Sequence, residues 1–371
     1  MVTVMQRHSA LPAFAVALAW VVCVGCQPEA IPCQDVGDRH AICGVDNAED
    51  LAALPLSPFV IFGQGYGGFR KHEGNISVMD TRSEEISVLF RGGSPGAQAS
   101  GERGWGDPEC LSPPNPRFSP HGIDLASLLD GRLRLLVVNH GHGERIEFFE
   151  VFDEDGRPAV VWRGCAVPPE GAFLNDVVGL ADGGFLTTHM MEYDTNFSST
   201  VRGLLGLDTG FVYRWHPERG FSILPGSEGA LPNGIQMAPD GKRVFLDLYL
   251  ASEIRVLDLE SGRELHTLEV SGPDNLTWTR DGRLLVASHL GGMGDSLSCM
   301  RNTGGACGMA FEIVSIDPDT YATEVVFSHS GAPMGAGTAA LDLGDELLIG
   351  SFASDRLLRV PLAPKGSGAI P

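Results

Sequence analysis

Basic residues are scarce in this chain. Lys and Arg total 26 against 47 Asp and Glu, a formal net charge of −21 over 371 residues. That balance argues against a nucleic-acid partner, because a phosphate backbone selects Lys and Arg. Long hydrophobic runs are missing too. The candidate at Leu11 to Val24 has 14 residues, too short for a comfortable membrane span. No long amphipathic helix is legible, and neither collagen nor coiled-coil composition is met. A Ser nucleophile on a strand-to-helix elbow, the serine-esterase arrangement, is also lacking. What is abundant is turn chemistry: 48 Gly and 24 Pro, with 43% hydrophobic residues. The apolar fraction suits a globular core rather than disorder, and the turn load implies many short strands.

The N-terminus carries an export signal. Arg7 and His8 precede the apolar run, which closes on Val22-Cys-Val-Gly-Cys26. Small residues before a Cys suit a bacterial lipoprotein signal peptidase, so residues 1–25 are expected to be removed and Cys26 lipidated. The alternative is an ordinary secretory signal. Gln27 rather than Asp gives no reason for retention at the inner membrane. The expected location is the cell envelope, with lipid as the only membrane attachment. Export implies an oxidising compartment, where Cys33, Cys43, Cys110, Cys165, Cys299 and Cys307 form disulfides. Short loops suggest Cys33–Cys43 and Cys299–Cys307, leaving Cys110–Cys165, one of 15 possible pairings. These six contain no Cys-x-x-Cys spacing, so zinc and thioredoxin chemistry have no support.

One unit recurs along the chain. A polar residue opens a short apolar strand, an Asp-Gly turn follows, and a second apolar strand comes after it. His121-Gly-Ile-Asp-Leu leads to Asp130-Gly131 and Leu133 to Val138. Asn175-Asp-Val-Val leads to Asp182-Gly183, Asn233-Gly-Ile-Gln to Asp240-Gly241, and Asp274-Asn-Leu-Thr to Asp281-Gly282. Asp-Gly between apolar runs is a strong hairpin signal. Glu49-Asp-Leu and Gly337-Thr-Ala-Ala-Leu complete six units, about 58 residues apart on average, near the length of a four-stranded propeller blade with loops. The expected fold is all-β, a six-bladed β-propeller over residues 47–363. Residues 26–46 are expected to be a linker and 364–371 a tail. Seven blades or a pair of β-sandwiches are the alternatives. Asp124 to Leu129 is a possible short helical insertion.

In a propeller the first strand of each blade lines the central channel. Glu49, His121, Asn175, Asn233 and Asp274-Asn275 would therefore converge at one mouth. Two carboxylates and three amide oxygens are hard ligands that suit Ca²⁺, whereas zinc prefers His and Cys in a tetrahedral set. A cation would also relieve repulsion among Glu49, Asp50, Asp176 and Asp274 in a dry channel. Singly, Asn and Asp at strand starts cap turns. Their recurrence at one position in successive units favours the metal.

Phe118-Ser-Pro-His-Gly-Ile, Leu136-Val-Val-Asn-His, Leu174-Asn-Asp-Val-Val, Asn233-Gly-Ile-Gln-Met-Ala-Pro-Asp-Gly-Lys and Asp274-Asn-Leu resemble the paraoxonase (arylesterase/lactonase) family, in order and in register. Glu49-Asp50-Leu and Leu347-Leu-Ile-Gly-Ser-Phe fit its first and last blades, so the resemblance runs from about Asn47 to Leu362. The wider relatives are the gluconolactonase/regucalcin group. The resemblance implies a hydrolase of lactones or aryl esters with two calcium ions. The catalytic ion would be held by Glu49, Asn175, Asn233, Asp274 and Asn275. The structural ion would be held by Asp50, Asp176 and the carbonyl of Ile123. His121 would be the general base, His140 its partner in a dyad, and His289 a rim residue. His189 would enter the pocket or sit at a strand end. A gluconolactonase-like sugar-lactone hydrolase and a non-catalytic binding propeller are the competing functions. Three departures bear on the pocket and on ring closure. Ser288 stands where animal paraoxonases have Cys, Val360 where their closing disulfide would end, and Thr188-His189-Met190-Met191 differs from the family pattern.

The remaining motifs are weaker. Gly63-Gln-Gly-Tyr-Gly-Gly68 has no following helix, so a dinucleotide reading fails. His142 is expected in a solvated turn, Met190-Met191 in packing, and Asn196-Phe-Ser-Ser-Thr in a loop. Trp105 and Pro113-Pro114 are expected in a lid loop stapled by Cys110.

Overall fold

A computed structural model describes residues 30–362 apart from 68–69, 95–101, 103, 142, 193–195 and 303. The expected leader 1–25, Cys26, His142 and the tail 364–371 lie outside the described residues. The chain first forms β1 (His40–Cys43). Blade one follows as β2 (Leu51–Ala53), β3 (Phe59–Gly67), β4 (Arg70–Asp80) and β5 (Ile86–Arg91). Blade two is β6 (Pro120–Ser127), β7 (Leu133–Asn139), β8 (Arg145–Glu154) and β9 (Arg157–Ala166). Blade three is β10 (Leu174–Gly179), β11 (Phe185–His189), β12 (Phe211–His216) and β13 (Gly220–Ile223), with α1 (Asn196–Leu204) inserted after β11. Blade four is β14 (Pro232–Met237), β15 (Arg243–Leu248), β16 (Glu253–Asp258) and β17 (Glu264–Glu269). Blade five is β18 (Pro273–Trp278), β19 (Leu284–His289), β20 (Phe311–Ile316) and β21 (Thr323–His329), with α2 (Met293–Met300) after β19. Blade six is β22 (Gly337–Asp342), β23 (Glu346–Ser351) and β24 (Arg356–Pro361), completed by β1.

All six sheets are antiparallel meanders, and their first strands touch one another around a ring, β2 to β6 to β10 to β14 to β18 to β22 and back to β2. The six-bladed propeller expectation therefore stands. The Asp-Gly turns behave as their chemistry dictates. Gly131, Gly183, Gly241 and Gly282 have φ of 86°, 88°, 67° and 80°, where a Cβ would be strained. Asp182 and Asp240 accept backbone N–H bonds two residues on, at 2.9 and 2.7 Å.

The core lies in the wedges between blades. Phe148, Phe185 and Trp215 are fully buried between blades two and three, with Phe185 stacked on Trp215 at 5.1 Å. Each such side chain contributes about 2–3 kcal/mol by leaving water.

Several expectations change. Residues 40–43 are not linker: β1 pairs antiparallel with β24, His40 opposite Arg359, and closes the ring without a covalent bond to the last strand. Asp124 to Ser127 lie in β6, because Asp124 is needed there to accept the Gly179 N–H from the next blade. Asn196 to Thr200 begin α1 rather than a loop. Trp105 is not in a lid. It is 3% exposed, packs with Leu136 and Phe148 in the wedge, and lies beneath the Arg132 guanidinium. The disulfides are Cys33–Cys43, Cys110–Cys165 and Cys299–Cys307, with Cα separations of 6.0, 5.6 and 5.3 Å. No helix among the described residues is long and apolar enough to cross a membrane.

Candidate functional site

Alternation along a strand sends neighbouring side chains to opposite faces. The first strands break that rule where the site needs it. Pairing skips from Pro120 to Ile123, Leu174 to Val177, Pro232 to Ile235 and Pro273 to Leu276. Each skip is a β-bulge, which re-aims the extra residue. The bulged pairs are His121-Gly122, Asn175-Asp176, Asn233-Gly234 and Asp274-Asn275, and Glu49-Asp50 directly precede β2. The repeating Asn/Asp positions noticed in sequence are thus one structural feature, the bulge at the channel mouth. In blades two and four the second bulge residue must be glycine. A Cβ on Gly234 would lie 2.0 Å from the Asp274 carbonyl oxygen, and one on Gly122 2.5 Å from that of Asn175.

Residues far apart in the chain meet here. Asn275 Nδ2 donates to Glu49 Oε1 at 2.8 Å across 226 residues. Asn233 hydrogen-bonds the Asp274 carboxyl. His121 Nε2 is 3.6 Å from Glu49 Oε2, and His289 Nε2 is 3.6 Å from Asp274 Oδ2. Side chains also tie blade to blade. Asp50 accepts the Ile123 N–H and Asp176 the Ile235 N–H, each at 2.8 Å, and Thr338 donates to the Glu49 carbonyl at 2.5 Å.

The electrostatics of this cluster are those of carboxyls lacking a counter-charge. Burial, then Asp274 and Asp50, push Glu49 well above its ordinary range. Burial, then Asp50, push Asp274 up to about 8. Burial raises Asp50 to about 7 even though two backbone N–H groups oppose the shift, and it raises Asp176 strongly, helped by Asp50.

Four buried oxygens on the bulged pairs and Glu49 accept no hydrogen bond from the described residues: Glu49 Oε2, Asn175 Oδ1, Asn233 Oδ1 and Asn275 Oδ1. Three of them are amide oxygens, which no change of protonation turns into donors. Only donors from outside or a cation can satisfy them. With the neighbouring Asp274 carboxyl, this donor set of two carboxylates and three neutral amides fits Ca²⁺. No cluster of three or more His, Cys, Asp or Glu suited to a metal occurs among the described residues, so the amides are essential to any such site. Asp50 and Asp176 differ. All four of their oxygens already accept a backbone N–H, so the orphan-oxygen signal belongs to the first set alone.

Beside the carboxyls runs a histidine chain. His121 Nδ1 is 3.0 Å from His140 Nε2, and His140 Nδ1 is 2.8 Å from Glu144 Oε1. Glu144 Oε2 also accepts the Leu174 N–H at 3.0 Å, and a carboxylate offers only acceptors. His140 Nδ1 is then the donor to Glu144, its Nε2 accepts from His121 Nδ1–H, and the His121 Nε2 lone pair faces Glu49. Burial drives the His121 pKa well below its ordinary value, keeping the ring neutral.

His289 donates from Nε2 to the Gly337 carbonyl and accepts from Tyr249 OH, both at 3.0 Å. Its ring borders Asp274. His189 is 1% exposed, accepts the Phe173 N–H at 3.1 Å and packs on Phe211 and Tyr213. It ends β11 in blade three, beside Met190, whose sulfur lies 3.5 Å from Asn175 Nδ2. Sequence reasoning missed Glu144, Tyr249 and Asp247. It also passed over Gly92-Gly-Ser94-Pro-Gly96, which has the spacing of a serine-esterase elbow. Ser94 Oγ donates to the Arg91 carbonyl at 2.6 Å, and no hydrogen bond to a His is seen among the described residues.

The chain is similar to known proteins over most of its length. Human serum paraoxonase/arylesterase 1 is 26% identical over 320 residues, 82% of this chain and 83% of its own. Dog serum paraoxonase/arylesterase 2 is 24% identical over 330 residues, 86% of this chain and 87% of its own. Among solved structures, the Pseudomonas aeruginosa periplasmic gluconolactonase shares the fold with a TM-score of 0.50 and 19% identity, covering 86% of this chain and 82% of that one. The family model described as Arylesterase matches residues 63–358, from within β3 to within β24 and so including all four bulged pairs but not Glu49-Asp50, and the chain belongs to that family.

Proposed function

We propose that this protein is a calcium-dependent hydrolase of lactones or aryl esters. The observation that carries the proposal is the set of four orphan oxygens facing the His121–His140–Glu144 chain across Glu49. Glu49, Asn175, Asn233, Asp274 and Asn275 would hold the catalytic ion. Asp50, Asp176 and the Ile123 carbonyl would hold a second, structural one. When bound, calcium supplies a Lewis acid for the ester carbonyl and its developing oxyanion.

The chain's own residues move the proton. His121 Nε2 takes a proton from the attacking water as the water oxygen bonds to the acyl carbon. The positive charge on His121 is shared through Nδ1–H to His140 and on to Glu144. The same proton then returns to the leaving alkoxide or phenoxide as the acyl–oxygen bond breaks, and the carboxylic acid product ionises to solvent. No covalent acyl-enzyme is required. His289 and His189 would border the substrate. Export and lipidation at Cys26 belong to the same proposal: Cys26→Ser would move the protein from the membrane fraction to the soluble one.

The test is hydrolysis of phenyl acetate and a panel of lactones, with calcium and with excess chelator. Chelation is expected to abolish turnover, and His121→Gln to lower kcat by roughly 100-fold or more. Full activity in chelator would overturn the calcium reading. Bound calcium with no turnover on any ester or lactone would favour a binding propeller.

A further inference from the structure

The bulges of blades two to five each oppose one residue on the second strand. From the pairing, those residues are Val138, Thr188, Asp247 and Ala287. Three are uncharged, and Asp247 is the exception. It is fully buried on β15, and neither carboxyl oxygen accepts a hydrogen bond among the described residues. Its counterpart Thr188 is fully used, accepting the Asp176 N–H at 3.0 Å and donating to the Asn233 carbonyl at 2.6 Å. A Cβ on Gly234 would lie 3.0 Å from Asp247 Oδ2. The carboxyl therefore sits directly behind the Asn233-Gly234 bulge, where glycine leaves room for it. A dry carboxylate with no partner is among the costlier things a fold can hold. Small neutral residues serve the same position in the other blades. Such a group is tolerated where a positive charge lies nearby, and the bulge in front of it carries a proposed calcium ligand, Asn233.

We infer that Asp247 is a positioning residue for the channel cation. Seated behind Asn233 and Asp274, it adds a negative charge that strengthens divalent-cation binding without belonging to the inner-strand ligand set. This rests on the calcium reading above. Its loss should act on cation affinity, as outer-shell carboxylates do, by roughly 10- to 100-fold.

The experiment uses the full chain, stripped of metal by chelator and titrated with Ca²⁺ by calorimetry and by the calcium-dependent rise in melting temperature. Asp247→Asn keeps the shape and removes the charge. Asp247→Thr copies blade three and guards against misfolding of the first variant. Wild type is expected to bind saturably. Both variants should bind at least about tenfold more weakly, while their metal-free melting temperatures are no lower than wild type's. Wild-type calcium affinity in both variants would overturn the inference and leave the calcium reading standing. No saturable binding by wild type would overturn both.

Discussion

His140 Nδ1 lies 2.8 Å from Glu144 Oε1, four residues further along, and this contact makes the histidine dyad a three-membered chain ending in a carboxylate. Glu144 also accepts the backbone N–H of Leu174, at the start of blade three, so its position is fixed from two blades. In Glu144→Gln the amide oxygen can still accept from both donors, but the charge that steadies a protonated His121–His140 pair is gone. The expected result is a kcat about 10- to 100-fold lower, with KM and melting temperature little changed. Steady-state kinetics on an aryl ester decide it. An unchanged kcat would show that the proton moves without Glu144.

Gly234 is the tighter of the two bulge glycines, 2.0 Å against 2.5 Å for Gly122. Gly234→Ala would set a methyl 2.0 Å from the Asp274 carbonyl and 3.0 Å from Asp247 Oδ2, so the bulge must shift. Overpacking of this kind costs about 1–3 kcal/mol. Because the shift falls between two proposed ligands, calcium affinity should fall together with melting temperature. Gly183→Ala, at a turn with open space around the Cβ, is the control: it should lose stability from its φ of 88° but keep calcium affinity.

The blade count was legible because Asp-Gly turns need positive φ and recur at the same place in four of the six units, with polar strand starts marking the other two. The convergence of Glu49, Asn175, Asn233 and Asp274 followed from that count. What was not legible depends on distant partners. His40-Ala-Ile-Cys43 is too short for a period, and its partner β24 lies more than 300 residues away. Trp105 looks like a loop aromatic until blades two and three close around it. Ser198-Ser-Thr200 is poor helix sequence, yet it lies in α1. Asp247 hides in Val244-Phe-Leu-Asp-Leu, where one polar letter passes for ordinary alternation. Only the bulge opposite gives it meaning.

Glu147 offers a pH test away from the metal ligands. It is buried in blade two, accepting from Asn139 Nδ2 and Trp162 Nε1, both at 2.8 Å. Burial still outweighs those bonds and raises its pKa from 4.5 to about 7. In the unfolded chain the group ionises first, so the unfolded state binds fewer protons between about pH 4.5 and 7. Stability therefore falls as pH rises through that window and levels off above it. The shift corresponds to about 3 kcal/mol at most. Urea unfolding in saturating calcium at pH 5 and pH 8 should show a smaller difference in Glu147→Gln than in wild type. An equal difference would place the proton uptake elsewhere.

Ring closure without a covalent bond to the last strand concentrates a burden on Arg356. Its side chain is fully buried, and its guanidinium donates to the carbonyls of Pro32, Pro333 and Ile31 at 2.6, 2.9 and 2.7 Å and to Asp355 at 2.7 Å. Two of those carbonyls lie just before Cys33, whose bond to Cys43 ties the segment to β1. Arg356 and the disulfide thus hold the 31–33 segment from two sides, to β24 and to β1. Lysine cannot reproduce the planar fork, so Arg356→Lys leaves at least one buried carbonyl without a donor. The expected loss is about 3 kcal/mol. The same substitution with the Cys33–Cys43 bond reduced should cost more than the two losses added, because each then releases what the other had held. A strictly additive double loss in thermal unfolding would mean that the two devices close the propeller independently.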